Sequence, residues 1–174
     1  MSPANTLTEQ AAHQIALTGG LPSHREKITA EHQRRWAIVY IRQSDPQQVL
    51  HHKESTNVQY ALVELAIALG WPRDRVMVID DDLGQTARFP DARHGFDRLL
   101  TEVALGHVGL VLGVEMSRLA RNNQDWYRLF DLCGVFDARL ADRDAVYDAQ
   151  DPNDRMLLGM KSIMSEMELH TMRG

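Results

Sequence analysis

Two residues whose side chains could take part in catalysis lie two positions apart, just after an apolar run. The run from Trp36 to Tyr40 predicts a buried β-strand, and Arg42 and Ser44 follow it. Because side chains alternate along a strand, these two leave its carboxyl end on the same face. Open α/β sheets build their sites at that edge. A hydroxyl beside a permanent cation is suited to attack a phosphate diester, although serines at strand ends commonly serve as helix caps or turn residues.

A second pair of cations follows another predicted strand. The apolar run at 108–114 predicts a central parallel strand, and Arg118 and Arg121 come soon after it. Residues three apart share one face of a helical turn. Two guanidiniums with planar forks of donors suit an anion with several oxygens. The alternative is a solvated helix start in which the arginines pair with Glu115 or Asp125.

Composition places the chain among soluble globular domains. Its 174 residues, 44% hydrophobic and 25% charged, suit one domain with a real core. No apolar run approaches the length that spans a membrane, and the N-terminus lacks a signal-peptide pattern. The single cysteine, Cys133, lies in an apolar helical pattern and is predicted to be a packed thiol rather than a nucleophile. Together these features predict a reducing, cytoplasmic setting.

The charge balance bears on nucleic-acid binding. A net charge of -5 argues against tight DNA binding by this chain alone, because duplex affinity comes mainly from neutralised phosphates. Yet only three of the 19 basic residues are lysines. The arginine bias favours focused phosphate contacts over a diffuse basic coat.

The order of elements predicts the fold class. Residues 1–34 form a polar leader, part of which we expect to lack fixed structure. Residues 35–152 alternate strand and helix patterns, and a long helix begins near 153. The expected strands are 37–42, 75–80, 107–114, 139–141 and 145–147, and the expected helices are 54–69, 93–105, 122–136 and about 154 onward. This rhythm predicts an α/β domain with a mostly parallel central sheet and helices on both faces.

The last predicted helix is rich in methionine. Apolar residues recur in it at helical spacing: Met156, Met160, Ile163, Met164 and Met167. This face packs either on its own domain or against a partner. Methionine is flexible and polarizable, so it suits a surface that repacks against different partners.

Six short segments occur in an order that is typical of one family. They are Tyr40 to Ser44, Glu54 to Gln59, Arg93 to Phe96, Ser117 to Arg121, Val146 to Asp148, and Ser165 to His170. The ordered set resembles the catalytic domain of the serine recombinases, the resolvase–invertase family. It is most similar to the large serine integrases and transposon recombinases. The resemblance extends from about Trp36 to the C-terminus.

The resemblance implies cleavage and rejoining of double-stranded DNA without metal or cofactor. Ser44 would attack a backbone phosphate to give a 5′-phosphoserine link and a free 3′ hydroxyl. Arg42 and Arg93 would grip the scissile phosphate, and Arg118 and Arg121 would stabilise the transition state. Strand exchange would need a homodimer that assembles into a homotetramer, with the C-terminal helix at the dimer contact. In the family a separate C-terminal region supplies most DNA affinity, and we expect that region to be absent from this chain.

Four further residues are implied in supporting roles. Gln59 would orient the phosphate or the nucleophile, and Tyr40 would support the core. Thr86 would offer a hydroxyl in the loop where the family usually has a Ser-Gly pair. Ser117 stands where small resolvases have aspartate, so the proton acceptor is open: Glu115, Asp82 or no side chain at all.

Other departures and alternatives complete the sequence-based hypotheses. Leu169 stands where small resolvases have an arginine, so that phosphate contact is not carried over. A non-catalytic member that keeps the fold and assembles is the main alternative. A mononucleotide-binding domain would need a glycine-rich loop after the first strand, which 44–48 lack. The acidic run at 80–82 resembles a magnesium site, but we expect a solvated loop.

Overall fold

The computed structural model describes residues 20–42, 52–80 and 94–173 of the chain. Five strands occur within these residues: β1 (Trp36–Tyr40), β2 (Val76–Ile79), β3 (Val108–Leu112), β4 (Arg139–Ala141) and β5 (Val146–Asp148). The α-helices of the same part are α1 (Ala30–Gln33), α2 (His52–Ala68), α3 (His94–Ala104), α4 (Asn123–Val135) and α5 (Pro152–Arg173). Short 3-10 turns cover Arg25–Lys27, Arg73–Arg75 and Met116–Arg118.

The strands form one sheet in the order β2-β1-β3-β4-β5. The first four are parallel, and β5 runs antiparallel to β4. All five residues of β3 are buried, which is what a central parallel strand covered on both faces requires. The carboxyl ends of β1 to β4 therefore meet at one edge of the sheet. The predicted fold class, an α/β domain with a mostly parallel sheet, is confirmed.

Each face of the sheet is covered by its own apolar cluster. One cluster joins β1 and β3 to α3, α4 and α5, with Trp126 and Leu129 among its members. The other joins the opposite faces of the same strands to α2, with Leu62 and Trp71 among its members. The predicted helices on both faces are thus confirmed. No helix in the described ranges is long and apolar enough to cross a membrane.

Residues 20–35 are folded onto this sheet rather than extending from it. Leu21 and Ile28 pack against the second cluster, and Ser23 forms a parallel bridge with Ala145. The helix α1 lies so close to β3 that a Cβ on Gly109 would meet the His32 carbonyl oxygen. The part of the predicted leader before residue 20 lies outside the described residues.

The helix α5 buries a largely polar face against the domain and exposes an apolar face. Towards the domain it buries Asp154, Ser162 and Ser165 as well as Leu158. Apolar side chains on its other side are 50–64% exposed: Met156, Met160, Ile163, Met164 and Met167. Most surface helices bury their apolar face, so this face of α5 is an exposed apolar surface of the described residues.

Candidate active site

The carboxyl edge of the sheet brings Arg42 close to residues 116–121, the arginine segment, which carries Arg118 and Arg121. Arg42 follows β1, and the segment that carries Arg118 follows the neighbouring strand β3. The Nη1 atom of Arg42 donates to the carbonyl oxygens of Arg118 at 3.2 Å and of Ala120 at 3.0 Å. Adjacent parallel strands thus place two parts of the chain 76 residues apart within hydrogen-bond distance.

Arg118 is held by an acidic neighbour of its own turn. Its Nε lies 3.4 Å from Glu115 Oε2, and both side chains are nearly half exposed. The ion pair that the alternative interpretation predicted between Arg118 and Glu115 is therefore present. Exposed pairs of this kind are weak, so the contact orients the guanidinium without removing it from the surface.

Ser117 connects the same turn to α5. Its hydroxyl donates to Glu115 Oε1 at 3.3 Å and lies 3.1 Å from the hydroxyl of Ser165, which is buried. Ser117, which stands where small resolvases have aspartate, thus links the arginine segment to the C-terminal helix.

A buried carboxylate anchors the start of the arginine segment. Asp142 directly follows β4 and is 3% exposed. Its Oδ2 accepts from the backbone N–H of Met116 at 3.0 Å, while Oδ1 accepts from the N–H groups of Asp144 and Ala145. Three N–H donors compensate the burial of this charge and fix the turn of Met116–Arg118 on the sheet edge.

Two supporting residues of the resemblance have defined positions. Tyr40 is buried and packs edge-on against Phe96, with ring centroids 5.9 Å apart, so it belongs to the core. Gln59 on α2 donates through Nε2 to Asp80 Oδ2 at 3.1 Å. Since Asp80 follows β2, the Gln59 side chain is also held at the carboxyl edge.

Arg121 is exposed just before α4, whose N-cap is Asn122. Ser44, Arg93, Thr86 and Asp82 lie outside the described residues. Burial raises the pKa of the Cys133 thiol to about 12, so the packed-thiol interpretation agrees with its surroundings. Among the described residues, no three side chains of metal-ligating type come together to hold a metal ion.

A family model for the N-terminal domain of resolvases matches residues 37–173. The chain belongs to the resolvase family. The match covers the sheet except for Trp36, the first residue of β1, and includes the arginine segment and α5.

A relative of this resolvase domain occurs in Sinorhizobium fredii (strain NBRC 101917 / NGR234). The uncharacterized protein y4bA/y4pH of that organism is 53% identical over 147 residues. These residues are 84% of this chain and 21% of the relative. The chain thus spans about a fifth of the length of this relative.

Two residues of the candidate site had no assigned role in the sequence analysis. Asp142 follows a predicted strand directly, and the rule that drew attention to Arg42 and Ser44 could have found it. Ser165 lies inside a family-like segment, but its contact with Ser117 spans 48 residues and leaves no local signal.

Proposed function

We propose that this chain is the catalytic domain of a site-specific DNA recombinase with Ser44 as nucleophile. Its hydroxyl attacks a backbone phosphate, and the bond to the 3′ oxygen breaks. The products are a 5′-phosphoserine ester and a free 3′ hydroxyl. Attack by a 3′ hydroxyl of another strand on the ester then rejoins DNA and releases Ser44. No metal ion or cofactor enters this scheme.

The contact between Arg42 and the arginine segment carries the proposal. Ser44 is only two residues beyond Arg42, whose guanidinium donates to the carbonyls of Arg118 and Ala120. Two residues span about 7 Å at most. This distance supports a site that combines the hydroxyl with the cations after β3.

The chemistry suits the residues at this edge. Phosphoryl transfer collects negative charge on the equatorial oxygens, so preorganised donors lower its barrier. In the proposed site Arg42 and Arg93 bind the scissile phosphate, and Arg118 and Arg121 stabilise the transition state. Gln59 orients the phosphate or Ser44, and Thr86 offers a further hydroxyl.

The exposed apolar face of α5 supports assembly through a second copy of the chain. A homodimer that buries this face, and a homotetramer formed from two dimers, would bring four Ser44 hydroxyls to two DNA duplexes. The net charge of -5 favours DNA affinity that resides largely outside this domain. The much longer relative agrees with a large recombinase of the integrase or transposon type.

The test is a covalent adduct in the full-length protein. Wild type should form a protein–DNA ester on a nicked recombination site that traps the cleaved state, detected by denaturing electrophoresis. Ser44→Ala should form none while DNA binding persists. Ser23→Ala is the matched control, because exposed Ser23 contacts the domain through its backbone at the bridge to Ala145.

Two outcomes oppose the proposal. An adduct that persists in Ser44→Ala would assign the nucleophile elsewhere. Normal assembly and DNA binding without any adduct in wild type would favour the non-catalytic member of the family.

A further inference from the structure

We propose that Ser165 of α5 is a positioning residue for Arg118, acting through Ser117 and Glu115. The inference rests on the proposed function, in which Arg118 stabilises the transition state. It assigns a role to a buried serine that lies outside the arginine segment and belongs to the helix with the exposed apolar face.

Four side chains form a continuous path from the helix to the guanidinium. Ser165 Oγ lies 3.1 Å from Ser117 Oγ, which lies 3.3 Å from Glu115 Oε1. The other oxygen of that carboxylate, Oε2, lies 3.4 Å from Arg118 Nε. Each oxygen of Glu115 therefore faces a different neighbour.

The chemistry of the groups gives this path a direction. An ionised carboxylate only accepts hydrogen bonds, so Ser117 donates its one proton to Glu115. The contact between the two serines then requires Ser165 to donate to Ser117. Hydrogen bonds in such a chain polarise one another, and the ionic end strengthens the serine bonds.

The path fixes a side chain that would otherwise have many rotamers. Arg118 is exposed, and an exposed arginine has several flexible torsions. The Ser117 bond holds one oxygen of Glu115, which leaves the other directed at Nε of Arg118. Ser165 is only 8% exposed and sits on a packed helix, so it is the rigid end of the path.

The location of Ser165 ties this positioning to α5. Its neighbours on the helix, Ile163 and Met164, point outward and are exposed. A contact that buries this face and shifts the helix therefore acts on the residue that holds Ser117. Lys161, bonded to the Tyr147 hydroxyl at 3.1 Å, tethers the preceding turn to the sheet.

The experiment compares four variants of the full-length protein in single-turnover cleavage of the trapping substrate. Ser165→Ala and Ser117→Ala should each slow cleavage on the order of tenfold, because small misplacements of a catalytic group can cost up to about 100-fold. The DNA concentration at half-saturation should stay unchanged. The double variant should be no slower than either single one, and Ser165→Thr should restore most of the rate.

Ser162→Ala is the matched control. Ser162 is equally buried on the same helix and donates to Asn123 Oδ1 at 3.1 Å, at the first residue of α4 rather than to Ser117 or Glu115. It should lose similar stability towards urea while cleaving at the wild-type rate. Equal slowing by Ser162→Ala and Ser165→Ala would reduce the effect to helix packing and overturn the inference.

A second measurement reads the arginine directly and separates this inference from the proposed function. The Nε–H resonance of Arg118, assigned by its loss in Arg118→Lys, should shift in Ser165→Ala but not in Ser162→Ala. An unmoved resonance overturns the inference whether or not DNA is cleaved. A shifted resonance in a protein that never forms an adduct supports the path and rejects only the recombinase proposal.

Discussion

At the scale of single residues, two arginines of this chain join distant segments through bonds to backbone carbonyl oxygens. Arg35 donates to the carbonyls of Val108, Phe136 and Asp137, and so joins the start of β1 to two later segments. Arg42 makes the same kind of contact at the opposite edge of the sheet. The arginine bias therefore reflects structural bonds to backbone oxygens, and the same planar fork suits the phosphate contacts that we propose.

His32 is a buried residue with a consequence for pH dependence. It is 1% exposed, and its Nδ1 accepts from the Thr29 N–H at 2.9 Å at the start of α1. Burial, aided by the charge of Arg139, lowers the pKa of His32 in the folded state. Between the folded pKa and about 6.5 the unfolded chain binds more protons. The free energy of unfolding should therefore fall as the pH drops below about 6.5.

The check is urea unfolding between pH 8 and pH 5 in wild type and His32→Gln. Glutamine keeps an acceptor for the Thr29 N–H but does not titrate. The variant should lose less stability on acidification, by about 1.4 kcal/mol for each unit that separates the folded and unfolded pKa of His32. Parallel curves for His32→Gln and wild type would contradict the assignment.

At the scale of elements, the strongest sequence signals predicted the sheet well. Continuous apolar runs gave β1 and β3 within two residues, since buried parallel strands need apolar residues on both faces. The short strand β4 was also predicted at its observed bounds. The helix α1 was not predicted. Four residues are too few to show a helical period, and α1 packs through the backbone of His32 rather than through an apolar stripe.

The contact between α1 and β3 gives a test at this scale. A Cβ on Gly109 would lie 1.9 Å from the His32 carbonyl oxygen, so any side chain must displace α1. Gly109→Ala should lower the free energy of unfolding by at least about 1–3 kcal/mol. Urea denaturation measures the change.

The control is a glycine that lies in a helix, unlike Gly109 of β3, and has open space around it. On Gly159 in α5 a Cβ would meet its nearest neighbour, the Tyr127 hydroxyl, at 3.8 Å. Gly159→Ala should therefore be neutral or more stable by up to about 1 kcal/mol, since alanine is the better helix former. A Gly109→Ala protein as stable as wild type would mean that α1 does not pack against β3 as described.

At the scale of the whole molecule, the sequence predicted which edge of the sheet holds the site but not how its residues contact one another. The carboxyl ends of parallel strands share one edge of a sheet, so Arg42 and the arginine segment were expected there. The anchors of that segment, Asp142 and Ser165, depend on contacts between distant parts of the chain. Such contacts follow from the packing of α5 on the sheet, and no periodic pattern encodes them.

The same packing leaves one face of α5 apolar and exposed to solvent. Met160 and Ile163 are 57% and 50% exposed, and three more methionines extend the surface along the helix. The domain-facing side of α5 is satisfied by hydrogen bonds and Leu158, so a rotation that buried the methionines would unpair polar groups. A second copy that presents the same face resolves the conflict, because a two-fold contact matches apolar surface to itself.

The last prediction concerns self-association through this face. Met160→Lys with Ile163→Lys should weaken dimer formation by about tenfold or more, because two unpaired ammonium groups per chain would lose water in the contact. Sedimentation equilibrium gives the dissociation constant, and circular dichroism should show an intact fold, since both side chains are exposed in the monomer. Val135→Lys, at a 74% exposed apolar position at the end of α4, adds a lysine outside this face and should leave assembly unchanged. If the double variant associates as tightly as wild type, the partner of α5 is not a second copy of this chain.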